Sequence, residues 1–160
     1  MTVALGAALL TAVASLGGVY LLTRHQREQS RLERRERLME RSAAVIGPLW
    51  KLLQEGNPDR VSMNLGPRSG EAHEDRWSRW QTIHTEALTV ATMHPSAEVR
   101  TAFRDASVAV GNALMSAGWI VRDYLANDFD DRRSQREEAK ADHRTASAAL
   151  ERLEELLRQG

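Results

Sequence analysis

Residues 97–126, AEVRTAFRDASVAVGNALMSAGWIVRDYLA, carry the periodicity that decides the fold. Val99, Phe103, Ala106, Val110, Ala113, Ala117, Ile120 and Tyr124 succeed one another at alternating spacings of four and three. At 3.6 residues per turn this lays the apolar side chains along one face of an α-helix. Pro95 ends what precedes it, and Ser96 stands where an N-cap hydroxyl serves the first free amides. Alanine fills much of the stripe, so neighbouring helices must approach closely. Such a core is lean, which implies modest stability or stability shared with a partner.

The same signal recurs on both sides. Residues 71–93 place Trp77, Trp80, His84, Ala87 and Ala91 on one line, joined by Ile83 and Leu88, with acids at 71, 74 and 75 at the positive helix end. Residues 130–159 place Ala139, His143, Ala146, Leu150, Leu153 and Leu157 on another. Residues 24–55 carry Leu32, Met39, Ile46 and Leu53 seven apart, with Ala43 and Trp50 between them. Gly47-Pro48 predicts a kink or a restart in that helix, because proline lacks the amide proton and crowds the preceding turn. Gly56 and Asn57-Pro58 predict its end. Residues 56–70, GNPDRVSMNLGPRSG, read as a flexible loop. Alternating β-branched runs occur nowhere, so strands are not expected.

Upstream of these helices the composition changes. Residues 2–23, TVALGAALLTAVASLGGVYLLT, contain no charged side chain. As a helix they would span ~33 Å, enough for a hydrocarbon core of ~30 Å. A backbone buried in lipid must satisfy its own hydrogen bonds, which a helix does. Arg24, Arg27, Arg31, Arg34, Arg35, Arg37 and Arg41 follow at once. The positive-inside rule places that flank in the cytoplasm and the short N-terminus outside, at a cell membrane. Tyr20 and Arg24 to Arg35 then lie at the interface, where arginines attract anionic headgroups by ~1 kcal/mol each. Ala4, Ala8 and Ala12 on one line, and Ala14 and Gly18 on another, would let two such helices approach. The alternative is an exported helical protein whose first segment is a signal peptide cleaved after Ala12-Val13-Ala14, before Ser15. The missing basic start and the continuation of the apolar run to Leu22 weigh against it.

The resulting expectation is an all-α chain. A transmembrane anchor (1–23) leads into a juxtamembrane basic helix that continues as the first bundle helix (24–55). After the loop come helices at about 71–93, 97–126 and 130–159, making an antiparallel bundle of about four amphipathic helices with coiled-coil-like stripes.

Composition narrows the chemistry. The 22 basic and 22 acidic residues cancel, but residues 1–23 hold none of them and residues 24–41 hold seven arginines against four glutamates. The glutamates interleaved there, and the neutral total, argue against a nucleic-acid surface. Twenty of the basic residues are arginine and two are lysine, and with abundant alanine this fits a bacterium with a GC-rich genome. The absence of cysteine excludes disulfides, thiolate metal sites and cysteine nucleophiles. No phosphate-loop, dinucleotide-fold or serine-elbow motif is present.

Two histidines, His84 and His143, sit within apolar stripes. No glutamate has a histidine three residues later and no two histidines lie four apart, so a di-iron or zinc helix pair is not expected. Hydrogen-bonded boundary histidines are the simpler reading. The acidic groups His73-Glu74-Asp75 and 127–131 read as helix-start capping. A bundle enzyme or metal binder therefore trails, and no catalytic residue, cofactor or metal ligand is expected. Opposite the main stripe of 97–126, Val108, Met115 and Trp119 align at i, i+7 and i+11. They mark either a helix buried on two sides or a surface for a protein partner, a second copy of the chain included. The expected role is a membrane-anchored interaction or scaffold module.

Overall fold

The computed structural model describes residues 2–126 and 132–159; for residues 2–21 and Arg132 it describes the helical backbone alone. Five helices account for the described chain: α1 (Thr2–Glu55), α2 (Pro58–Met63), α3 (Ser69–Met93), α4 (Ala97–Leu125) and α5 (Arg132–Gln159). No strand occurs among the described residues. The chain divides into two compact units, Met1–Arg37 and Leu38–Gly160.

In the first unit, every described side chain from Leu22 to Arg37 is exposed. Helix is supported there by the intrahelical pairs Arg24–Glu28 at 3.2 Å and Glu33–Arg37 at 3.8 Å, each a surface pair of small energetic worth. Among the described residues, no helix is long and apolar enough to cross a membrane. The anchor reading concerns residues 1–23, nearly all of whose side chains lie outside the described residues.

The second unit is a helical bundle whose directions follow from its contacts. Trp50 meets Glu154 while Leu53 meets His143, so the two helices run oppositely. Glu98 pairs with Arg152 and Ser116 bonds Asp142, which makes α4 and α5 antiparallel. Trp80 bonds Ser107 while Gly70 lies against Leu125, which does the same for α3 and α4. Arg41 with Met93 and Glu55 with Arg79 set α1 against α3 in the same sense. Leu49, Leu52, Leu53, Phe103, Leu114, Leu150 and Leu153 fill the centre. Fourteen of the 29 residues of α4 are buried, which makes it the central helix.

Several local expectations are corrected. The heptad line of α1 fails in its first half: Leu32 is 61% and Met39 41% exposed, and Ala43 is exposed as well. The buried face runs through Ser42, Val45, Ile46, Leu49, Leu52 and Leu53 instead. Leu32 belongs to the first unit, whose described side chains from Leu22 to Arg37 are all exposed, and a straight helix at 3.6 residues per turn drifts off a seven-residue repeat. Ser42 is polar yet buried because its hydroxyl donates to the Leu38 carbonyl at 2.8 Å.

Of the kink or restart expected at Gly47-Pro48, the restart does not occur; α1 continues through Pro48. Proline disfavours helix for its predecessor mainly by crowding that residue's Cβ, and glycine has none. The fully buried Leu49, Leu52 and Leu53 hold the following turns.

Residues 56–70, read as one loop, contain α2. Asn57 caps it, its Oδ1 accepting from the amides of Asp59 at 3.0 Å and Arg60 at 3.4 Å, and Pro58 occupies its first position. Asp59 then reaches Arg136 at 2.6 Å and Lys140 at 3.4 Å on α5. Val61 packs with Ala117 and Val121 in a second, smaller apolar cluster.

Two glycines of α4 receive rings from α3. A Cβ added to Gly111 would lie 2.7 Å from Trp80 Cε2 and closer still to Cζ2. One added to Gly118 would meet the His73 imidazole in the same way. Residues 73 and 80 face residues 118 and 111, seven apart on each helix, so each missing side chain is a socket for a ring.

Candidate functional site

The residues singled out above fall in three places. Of the interface set, Tyr20 lies outside the described side chains, while Arg24, Arg27, Arg31, Arg34 and Arg35 are exposed. Arg27, Arg31 and Arg34 share one helix face, where they line a shallow groove with Thr23, Gln26 and Ser30. The guanidinium forks on that face are suited to phosphate oxygens.

On α4 the three outward residues part company. Val108 and Met115 are each 43% exposed, whereas Trp119 is half-buried. The helix is central, yet this line is not fully covered among the described residues.

The histidines are accounted for one by one. His84 Nδ1 shares a hydrogen bond with Ser107 Oγ at 2.8 Å, and its ring stacks on Trp80 with centroids 5.0 Å apart. His143 Nε2 donates to the Leu53 carbonyl at 3.2 Å; burial lowers its pKa, while that bond and Asp59 pull it up. Among the described residues no three His, Asp or Glu side chains are grouped to hold a metal ion.

The capping role read for His73-Glu74-Asp75 is corrected. α3 starts at Ser69, which puts the trio in its second turn. His73 turns inward onto Gly118 with its Nδ1 buried and without a hydrogen-bond partner. Burial, and then the charge of Arg76, lower its pKa, with Glu74 opposing. Asp75 pairs with Arg79 at 2.9 Å. The second acidic run, 127–131, lies outside the described residues.

A basic cavity was not foreseen. The end of α1, α2, the turn after it, the start of α3 and Val121 of α4 line a half-open cavity of about 980 Å³. Lys51, Arg60, Arg68, Arg76 and Arg79 line it, against only two acids, Glu55 and Asp75. Arg79 takes both: its Nη2 donates to Glu55 at 2.5 Å, and its Nε lies 2.9 Å from Asp75. That hydrogen bond holds the Glu55 carboxyl below its ordinary pKa and raises that of Arg79. Arg76 is half-buried, and its Nε is buried with no hydrogen-bond partner. Burial lowers its pKa; Glu55 and Asp75 oppose that and Arg79 adds to it. The cations come from four separate stretches of sequence, so nothing local in the sequence announces them.

Comparison of the chain with protein-family models, with curated proteins and with solved structures finds no match.

Proposed function

We propose that the chain is a single-pass membrane protein whose cytoplasmic helical bundle acts as a protein-interaction or scaffold module. The observation that carries this reading is the uncharged run 2–23 followed at once by seven arginines within residues 24–41. Helical backbone throughout Thr2–Glu55 suits a segment that must satisfy its own amides in lipid. The arginine face of residues 27–34 would rest on anionic headgroups. Val108 and Met115, apolar and exposed on the central helix, supply a contact for a second copy or another protein. No catalytic role and no nucleic-acid partner are proposed.

One observation favours a second reading. Ala12-Val13-Ala14 before Ser15 has the small-residue form of a signal-peptidase site. Alkaline washing of membranes, followed by mass measurement of the recovered chain, separates the two. An anchor leaves the intact chain in the washed membrane. A soluble product beginning near Ser15 refutes it.

A further inference from the structure

We propose that the cavity between α1, α2 and α3 is a binding site for a compact, multiply phosphorylated anion without an aromatic ring. Its lining carries five cationic side chains and two carboxylates, and both carboxylates are taken by Arg79. Lys51, Arg60, Arg68 and Arg76 make no ion pair among the described residues. Four like charges converging on one hollow repel one another, and a bound polyanion removes that repulsion.

Arg76 gives the strongest indication. A guanidinium donor withdrawn from water with no acceptor is costly, and buried donors in native proteins nearly always have partners. A phosphate oxygen meeting the Arg76 guanidinium, which lines the cavity, would offset part of that cost. Arginine, which provides four of the five cations, presents paired N–H groups that match phosphate oxygens two at a time. Arg68 and Ser69 also set the positive end of α3 at the cavity wall, and no side chain caps it.

Size and lining restrict the ligand further. A volume of about 980 Å³ falls within the range of small-molecule sites. Among the described residues no aromatic side chain lines the cavity, so they offer no platform on which a nucleobase could stack. The chemistry left is a polyphosphate or a phosphorylated polyol, free in solution or as a lipid headgroup. The cavity lies wholly within residues 51–121, so the inference does not rest on the membrane reading.

The test is calorimetric titration of the full chain in neutral detergent with tripolyphosphate, with inositol trisphosphate and with citrate. One saturable site for at least one phosphate probe is expected, with citrate weaker. Arg76→Gln and Arg68→Gln should each weaken it about tenfold, as expected for loss of a charge-assisted contact. Arg68 is exposed and its side chain makes no bond among the described residues, so its variant keeps the fold. Preference for tripolyphosphate points to a free polyphosphate, and preference for inositol trisphosphate to a polyol or headgroup. Absence of saturable binding, equal binding of citrate, or binding unchanged in both variants overturns the proposal.

Discussion

Gly111→Ala places a single methyl group against the partly buried Trp80 ring. The new Cβ would stand 2.7 Å from Trp80 Cε2 and nearer to Cζ2. Trp80 is held on three sides: its Nε1 donates to the Ser107 carbonyl at 3.0 Å, Trp77 lies 4.6 Å away and His84 5.0 Å away between ring centroids. In an open helix position the exchange of glycine for alanine would stabilise by about 1 kcal/mol. Overpacking opposes this by about 1–3 kcal/mol. Displacing the indole also strains or breaks its hydrogen bond, a further ~1 kcal/mol. The net expectation is destabilisation by about 2 kcal/mol, which for a chain of this size lowers the melting temperature by about 4–8 °C. Thermal unfolding followed by circular dichroism reads the shift. The cycle is completed in a Trp80→Leu background, where the methyl group has room and Gly111→Ala should stabilise by about 1 kcal/mol. Equal effects of the substitution in both backgrounds would refute the socket.

Burial lowers the pKa of His73, His94 and His143 from 6.5. The unfolded chain therefore binds more protons than the folded one below about pH 6.5, so stability is full above that pH and declines as acid is added. Urea unfolding should show this decline, and His73→Leu should shallow it; stability that rises on acidification would contradict it. Asn57→Ala removes the acceptor for two amides of α2 and should cost about 1 kcal/mol in urea unfolding, with faster hydrogen exchange over residues 58–63. Val108→Ser with Met115→Gln should change stability by no more than about 0.5 kcal/mol while abolishing self-association or partner capture in sedimentation; a large loss of fold would mean that these side chains are core.

Where the periodic pattern was uninterrupted and wholly inside the bundle, it could be read directly. The α4 stripe from Val99 to Ala117 is buried residue by residue, and Ser96 caps the helix through the Val99 amide. On α5 the same holds for Ala139, Ala146, Leu150, Leu153 and Leu157. α1 misled because its apolar spacing continues into the first unit: Leu32 fits the spacing but is exposed among the described residues. Ser42 carries no apolar signal, since a hydroxyl counts as polar until its acceptor is known. Gly111 and Gly118 carry no side chain to join a periodic pattern, and only the opposite helix shows that rings fill their places. α2 was hidden by the residues that start it, because Asn57-Pro58 ends one helix and caps the next. The cavity cations, Lys51 and four arginines from residues 60 to 79, have no shared period and needed the fold to assemble them.

The absence of cysteine makes membrane orientation directly measurable. Thr2→Cys and Gln159→Cys, made separately in the full chain, can be labelled with a membrane-impermeant maleimide without background. An anchored chain with a cytoplasmic bundle requires labelling of residue 2 in intact cells and of residue 159 only after permeabilisation. Labelling of residue 159 in intact cells, or its recovery in a soluble product lacking residue 2, would contradict it.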